Sequence, residues 1–66
     1  MLLTVNGESA EMKDGSSVAE LLELFKIKRD RVAVEVNLDI VPKTSYDSHT
    51  LQSGDRVEIV QFVGGG

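Results

Sequence analysis

Ser17-Val18-Ala19-Glu20-Leu21-Leu22-Glu23-Leu24-Phe25, followed shortly by Arg31-Val32-Ala33-Val34-Glu35-Val36, decides the fold class. In the first run, Val18, Leu21, Leu22 and Phe25 fall at i, i+3, i+4 and i+7, one apolar stripe of an α-helix. Ser17 and Glu20 have the spacing of a capping box, in which the serine side chain accepts from the Glu20 amide and the glutamate accepts from the Ser17 amide. Lys26 and Lys28 come where the helix should stop, favourable for its dipole. In the second run the period drops to two. Val32, Val34 and Val36 share one face and Ala33 and Glu35 the other, the pattern of a half-buried strand. A helix of two to three turns must lay its stripe on a sheet, which gives two layers around one core.

Working outward, further strands flank this unit. Leu2-Leu3-Thr4-Val5, Asn6-Gly7 and Glu8 to Met12 read as a hairpin, because both central residues of a type I′ turn need positive φ and Asn-Gly supplies them. Asn37-Leu38-Asp39 reads as a turn into Ile40-Val41, a short strand that Pro42 ends or confines to an edge. Pro42 to Ser53 is a polar ordered loop anchored by Tyr46 and Leu51, with room for a 3₁₀ turn. Ser53-Gly54-Asp55 is a tight turn, and Arg56 to Val63 is the last strand. The order is strand, strand, helix, strand, short strand, strand. This is an α+β domain with a mixed or antiparallel sheet, and the residues alone leave its strand order open.

The chain has 66 residues, enough for one domain. A domain this small removes only about 60% of its unfolded surface from water. There are no cysteines, so neither a disulfide nor a thiolate zinc site is available. Seven basic against eleven acidic residues leave a net charge of −4, which disfavours phosphate backbones and favours a partner with a basic docking face. No run is long and apolar enough to span a bilayer and no secretory leader is apparent. A cytoplasmic protein, monomeric on its own, is expected.

The last seven residues carry the chemistry. Val57 and Ile59 share a face with Gln61 and Val63; Glu58, Val60 and Phe62 share the other. Glu58 should face water, since an unpaired buried carboxylate is costly, and the strict period then turns Val60 and Phe62 outward too. Two apolar side chains on the solvent face make a docking surface, unless Phe62 folds back over the sheet edge. Gly64-Gly65-Gly66 come next with no polar spacer. The plain reading is a frayed end. The functional reading is a flexible tail, residues 64–66 beyond a domain of residues 1–63, slim enough to thread a narrow channel and offer an unhindered carboxylate at Gly66.

Val5-Asn6-Gly7, Ala33-Val34-Glu35-Val36-Asn37, Ile40-Val41-Pro42, Gly54-Asp55 and Val60-Gln61-Phe62-Val63-Gly64-Gly65-Gly66 together give the chain a full-length resemblance to the ThiS family of ubiquitin-like β-grasp proteins, the sulfur carriers of thiamine biosynthesis. The resemblance implies a β-grasp fold with the first and last strands parallel at the sheet centre. It implies that Gly66 is adenylated by a ThiF-type adenylyltransferase using MgATP, and converted to a thiocarboxylate with sulfur from a cysteine desulfurase relay. It implies delivery to a ThiG-type thiazole synthase, with Val60, Phe62 and Val63 at the docking surface. On this view the chain is a co-substrate rather than an enzyme and binds no cofactor or metal itself. The small subunit of molybdopterin synthase and a ubiquitin-like protein modifier are the alternatives; the former is usually longer and tends to carry alanine before its glycine pair.

The other candidates are plainer. His49, the one histidine, has no evident partner for catalysis and reads as a solvated surface residue. Asp39, Asp47 and Asp55 read as isolated turn residues, which aspartate favours through local hydrogen bonds. Lys28, Arg29 and Arg31 read as a solvated basic edge, available for docking.

Overall fold

A computed structural model describes residues 1–62. Strands β1 (Leu2–Val5) and β2 (Glu8–Glu11) form the first hairpin, then come helix α1 (Val18–Leu24), strands β3 (Val32–Val36) and β4 (Asp39–Val41), and strand β5 (Arg56–Gln61). The five strands form one mixed sheet in the order β2-β1-β5-β3-β4. β1 and β5 run parallel, with Val5 opposite Val57, and every other pairing is antiparallel. The helix lies across one face. This is the β-grasp arrangement, with the first and last strands side by side inside the sheet.

The local signals act as their chemistry requires. Asn6 and Gly7 both take positive φ, 49° and 83°, in the first hairpin turn. Asn37 and Leu38 do the same in the second. Ser17 caps α1 with the full reciprocal box: the Glu20 amide donates to Ser17 Oγ at 3.1 Å and the Ser17 amide to Glu20 Oε1 at 2.9 Å. The first two helical amides, otherwise orphaned, donate to the loop: Val18 to the carbonyl of His49 at 3.0 Å and Ala19 to that of Tyr46 at 2.9 Å. That is why the polar stretch after Pro42 is ordered. It serves as the helix cap, nailed down by Tyr46 and Leu51, each only 1% exposed. A 3₁₀ turn at Lys43–Ser45 starts it.

The core is the alternate set of every strand but β2 against the helix: Leu3 and Val5, Val32, Val34 and Val36, Val41, Val57 and Ile59, facing Val18, Ala19, Leu21 and Leu22. Phe25 is not among them. The helix ends one residue earlier than its stripe, and Phe25, its C-cap, is 40% exposed. Lys26 adopts a left-handed conformation, φ 59°, while its amide donates to Glu23 and that of Ile27 to Leu22. These two bonds are a Schellman motif, a stop usually built on glycine. Ile27 packs against the core in place of Phe25.

Two further expectations change. Asp47 is no isolated turn residue. Arg29, in a 3₁₀ turn over Arg29–Arg31, makes a forked ion pair with it at 2.8 and 2.9 Å. That hydrogen-bonded pairing lowers the Asp47 carboxyl below its ordinary value and raises the Arg29 guanidinium. Asp39 belongs to the edge strand β4, not to the turn before it. Burial in turn pushes the Tyr46 phenol up, against the pull of Arg29. Asp55 is a true turn residue, accepting from the Gln52 amide at 2.8 Å.

β5 is held by both hairpin turns. The Asn6 side chain accepts from the Ile59 amide at 2.7 Å and donates to the Ile59 carbonyl at 3.2 Å. The Asn37 side chain accepts from the Arg56 amide at 3.0 Å and donates to Asp55 at 2.9 Å. Asn6 thereby acts as one more rung of β1 after its backbone has turned away. Replacing Asn6 by glycine keeps the turn conformation and deletes only the clamp. With two hydrogen bonds lost, Asn6→Gly is expected to cost about 1–3 kcal/mol in urea unfolding. An unchanged midpoint would show the clamp to be dispensable.

Candidate functional site

The site is the face of the sheet turned away from the helix, at the end where β5 leaves it. Along β5, Val57 and Ile59 point into the core, so Glu58 and Val60 point out. Cross-strand partners share that face: Ala33 lies opposite Val60, Glu35 opposite Glu58, and Ile40 opposite Glu35. Val60 is 56% exposed, Phe62 54% and Ile40 73%. Phe62 stays in line with the strand, its amide donating to the carbonyl of Arg31 at 2.9 Å. Its side chain stays exposed, with the Lys43 ammonium 6.0 Å from the ring centre, a cation–π contact.

This surface mixes apolar side chains with an unfavourable charge pair. Glu35 and Glu58 are direct cross-strand neighbours, and like charges in that position repel. Nothing within the described residues offsets them by a salt bridge. Exposed Val60, Phe62 and Ile40 beside two carboxylates form a face that a partner with apolar and basic groups would cover favourably.

Of the docking residues expected from sequence, Val60 and Phe62 lie together on this face. Val63 falls outside the described residues, as do Gly64, Gly65 and Gly66, so the last strand is described to Gln61 and the tail lies beyond. Ile40 is an addition. Its exposure follows from its place on an edge strand opposite Glu35, a pairing that its neighbours in sequence do not reveal.

The basic edge divides. Arg29 is engaged with Asp47, whereas Lys28 and Arg31 line a groove with Lys26, Gln61 and Phe62. His49 is half-buried rather than fully solvated, because its backbone is tied into the helix cap, and it borders a shallow depression shared with Asn37 and Asp55. Among the described residues no three acidic, histidine or cysteine side chains gather as metal ligands, and no helix is long and apolar enough to cross a membrane.

A mixed five-stranded sheet with one helix across a face, and with an exposed apolar pair at the end of its inner strand β5, places the chain among β-grasp domains. Comparison with known proteins narrows it. The ThiS family model matches residues 3–66. The sulfur carrier protein ThiS of Bacillus subtilis is 36% identical over 66 residues, covering 98% of this chain and all of that one. The crystal structure of the thiamine biosynthesis protein ThiS from Geobacter metallireducens superposes with a TM-score of 0.85 at 36% identity, each chain covered in full. A thiazole synthase of Paramagnetospirillum magneticum is 44% identical over 66 residues, and the chain spans only 20% of its length. The chain belongs to the ThiS family.

Because Val60 and Phe62 touch little of the core, truncating them tests exposure against packing. Val60→Thr and Phe62→Ala are each expected to shift unfolding stability by no more than about 0.5 kcal/mol, the range of ordinary surface changes. A loss of about 3 kcal/mol, typical of a buried phenylalanine, would place Phe62 in the core.

Proposed function

We propose that this chain is a sulfur carrier of thiamine biosynthesis whose reacting group is the carboxylate of Gly66. The observation that carries the reading is the course of β5. An inner strand, fixed on both flanks, leads through the exposed pair Val60 and Phe62 toward Gly64-Gly65-Gly66. The likeness to the Bacillus subtilis protein, named a sulfur carrier, supports it over the full length.

The chemistry follows from the inertness of a carboxylate. Sulfur cannot displace an oxide ion, so the oxygen must first become part of a leaving group. A Gly66 carboxylate oxygen attacks the α-phosphorus of ATP and pyrophosphate departs, giving an acyl adenylate. The terminal sulfur of a persulfide, supplied by a cysteine desulfurase relay, then attacks the acyl carbon and AMP leaves; a second thiol cleaves the resulting acyl disulfide and is itself oxidised to a disulfide, so that a thiocarboxylate ends the chain. Magnesium and the groups that stabilise the phosphates belong to the ThiF-type adenylyltransferase, since charge stabilisation is the main task of a phosphoryl-transfer site. This chain contributes the reacting end and the surface by which it is known. Val60, Phe62 and Val63 dock; Gly64 and Gly65 pass through a channel that a side chain would block. The receiver of the sulfur is a ThiG-type thiazole synthase. The stretch of the Paramagnetospirillum magneticum thiazole synthase that resembles this chain supports that assignment.

The test is an intact-mass measurement. Incubated with its adenylyltransferase, ATP and a sulfide source, the chain is expected to gain the mass of sulfur replacing one oxygen, located at Gly66 by fragmentation. An unchanged mass beside an enzyme active on a known carrier contradicts the reading. Covalent adducts joined to lysines of other proteins would instead identify a modifier.

A further inference from the structure

β5 leaves the sheet with one edge paired and the other open. Its even-numbered residues bond toward β3: the Arg56 carbonyl accepts from the Asn37 amide at 2.8 Å, and the Phe62 amide donates to Arg31 at 2.9 Å. Its odd-numbered residues bond toward β1. The Val57 carbonyl accepts from the Asn6 amide at 2.8 Å, and the Asn6 side chain takes both the amide and the carbonyl of Ile59. The next rung in that series is Gln61. β1 has ended at Val5 and the Asn6 amide is spent, so the N–H and C=O of Gln61 have no partner there among the described residues.

Elsewhere the sheet guards its edges. β2, at one edge, carries Glu8 and Glu11, and β4, at the other, is three residues long and runs into Pro42. Charge, shortness and proline are the usual defences against a foreign strand. The stretch Val60-Gln61-Phe62 has none of them. Beyond Phe62 the sequence continues for four residues to Gly66, three of them without side chains. An enzyme that grips such a segment has little but its backbone to hold, and strand addition is the mode that reads backbone.

We propose that the adenylating enzyme adds a strand of its own to this open edge, an extended segment whose backbone pairs with the N–H and C=O of Gln61. This rests on the carrier reading above. The Asn6 clamp sets the register: it occupies the last rung that β1 can reach, so the added strand begins at Gln61. The exposed side chains of Val60 and Phe62 then pack on the enzyme while the edge is paired, and the two contacts fix how the end of β5 sits on it.

The experiment is residue-resolved amide exchange on isotope-labelled protein, alone and bound to the adenylating enzyme. In the free protein the Gln61 amide is expected to exchange at least about tenfold faster than that of Val60, which faces β3. In the complex it slows by about tenfold or more. As a second measurement, Gln61→Pro removes the outward N–H and no bond to β3, and is expected to weaken binding about five- to tenfold, the worth of one hydrogen bond. Gln61→Ala keeps the N–H and binds as the native chain does. A Gln61 amide that stays fast in a complex still able to adenylate Gly66 overturns the proposal, as does an equal loss from the proline and alanine variants. An enzyme that neither binds nor adenylates the native chain sinks the carrier reading itself, and the added strand with it.

Discussion

The pairing of β5 on both of its sides is the constraint on which the rest of the molecule depends. In a sheet ordered β2-β1-β5-β3-β4, this last strand is the one that joins the two hairpins. Without it the N-terminal and C-terminal halves would each be an isolated two-stranded ribbon, marginal in water. Its parallel contact with β1 covers only two residue pairs, Thr4 with Arg56 and Val5 with Val57. The Asn6 side chain lengthens that seam by a rung, and Asn37 secures the start of the strand. Each asparagine serves twice, taking the left-handed backbone its turn demands and using its amide to hold the strand that arrives from the far end of the sequence.

From that constraint the division of labour follows. The inner face of the sheet is committed to the helix and to the loop that caps it, and it holds the buried apolar residues of the core. The outer face carries no helix among the described residues, so its composition is free to answer to partners. There Val60 and Ile40 are exposed and Glu35 faces Glu58, a set that a partner with apolar and basic groups would cover favourably. The site and the fold are therefore separable. The outer face adds little to the buried core, whereas Asn6 and the core residues hold β5 in place.

Much of this was legible in the sequence where the signal was local. Ser17 with Glu20, Asn6 with Gly7, and the alternation from Val32 to Val36 each bear their physics within a few residues. The outward turn of Val60 and Phe62 followed from one premise, that Glu58 faces water. Long-range partnerships were not legible. Nothing about Asn6 announces a bond to Ile59 at the other end of the chain, and nothing about Arg29 points to Asp47 across a strand pair. Phe25 misled because its stop signal is a lysine: Lys26 takes the conformation reserved by habit for glycine, and the stripe ends before its fourth member. The identity of the strands at the centre of the sheet came from resemblance, since the strong strand patterns of β1 and β5 let either lie centrally and left the strand order open.

The central claim is that a rigid, doubly clamped strand delivers a free carboxylate to an activating enzyme. It is tested most directly by total synthesis of the 66-residue chain with a carboxamide in place of the Gly66 carboxylate. The account predicts a protein that unfolds at the same midpoint and still competes with the native chain for the adenylating enzyme, yet releases no pyrophosphate from ATP. Pyrophosphate release at the native rate would contradict it, for the nucleophile would then lie elsewhere in the chain.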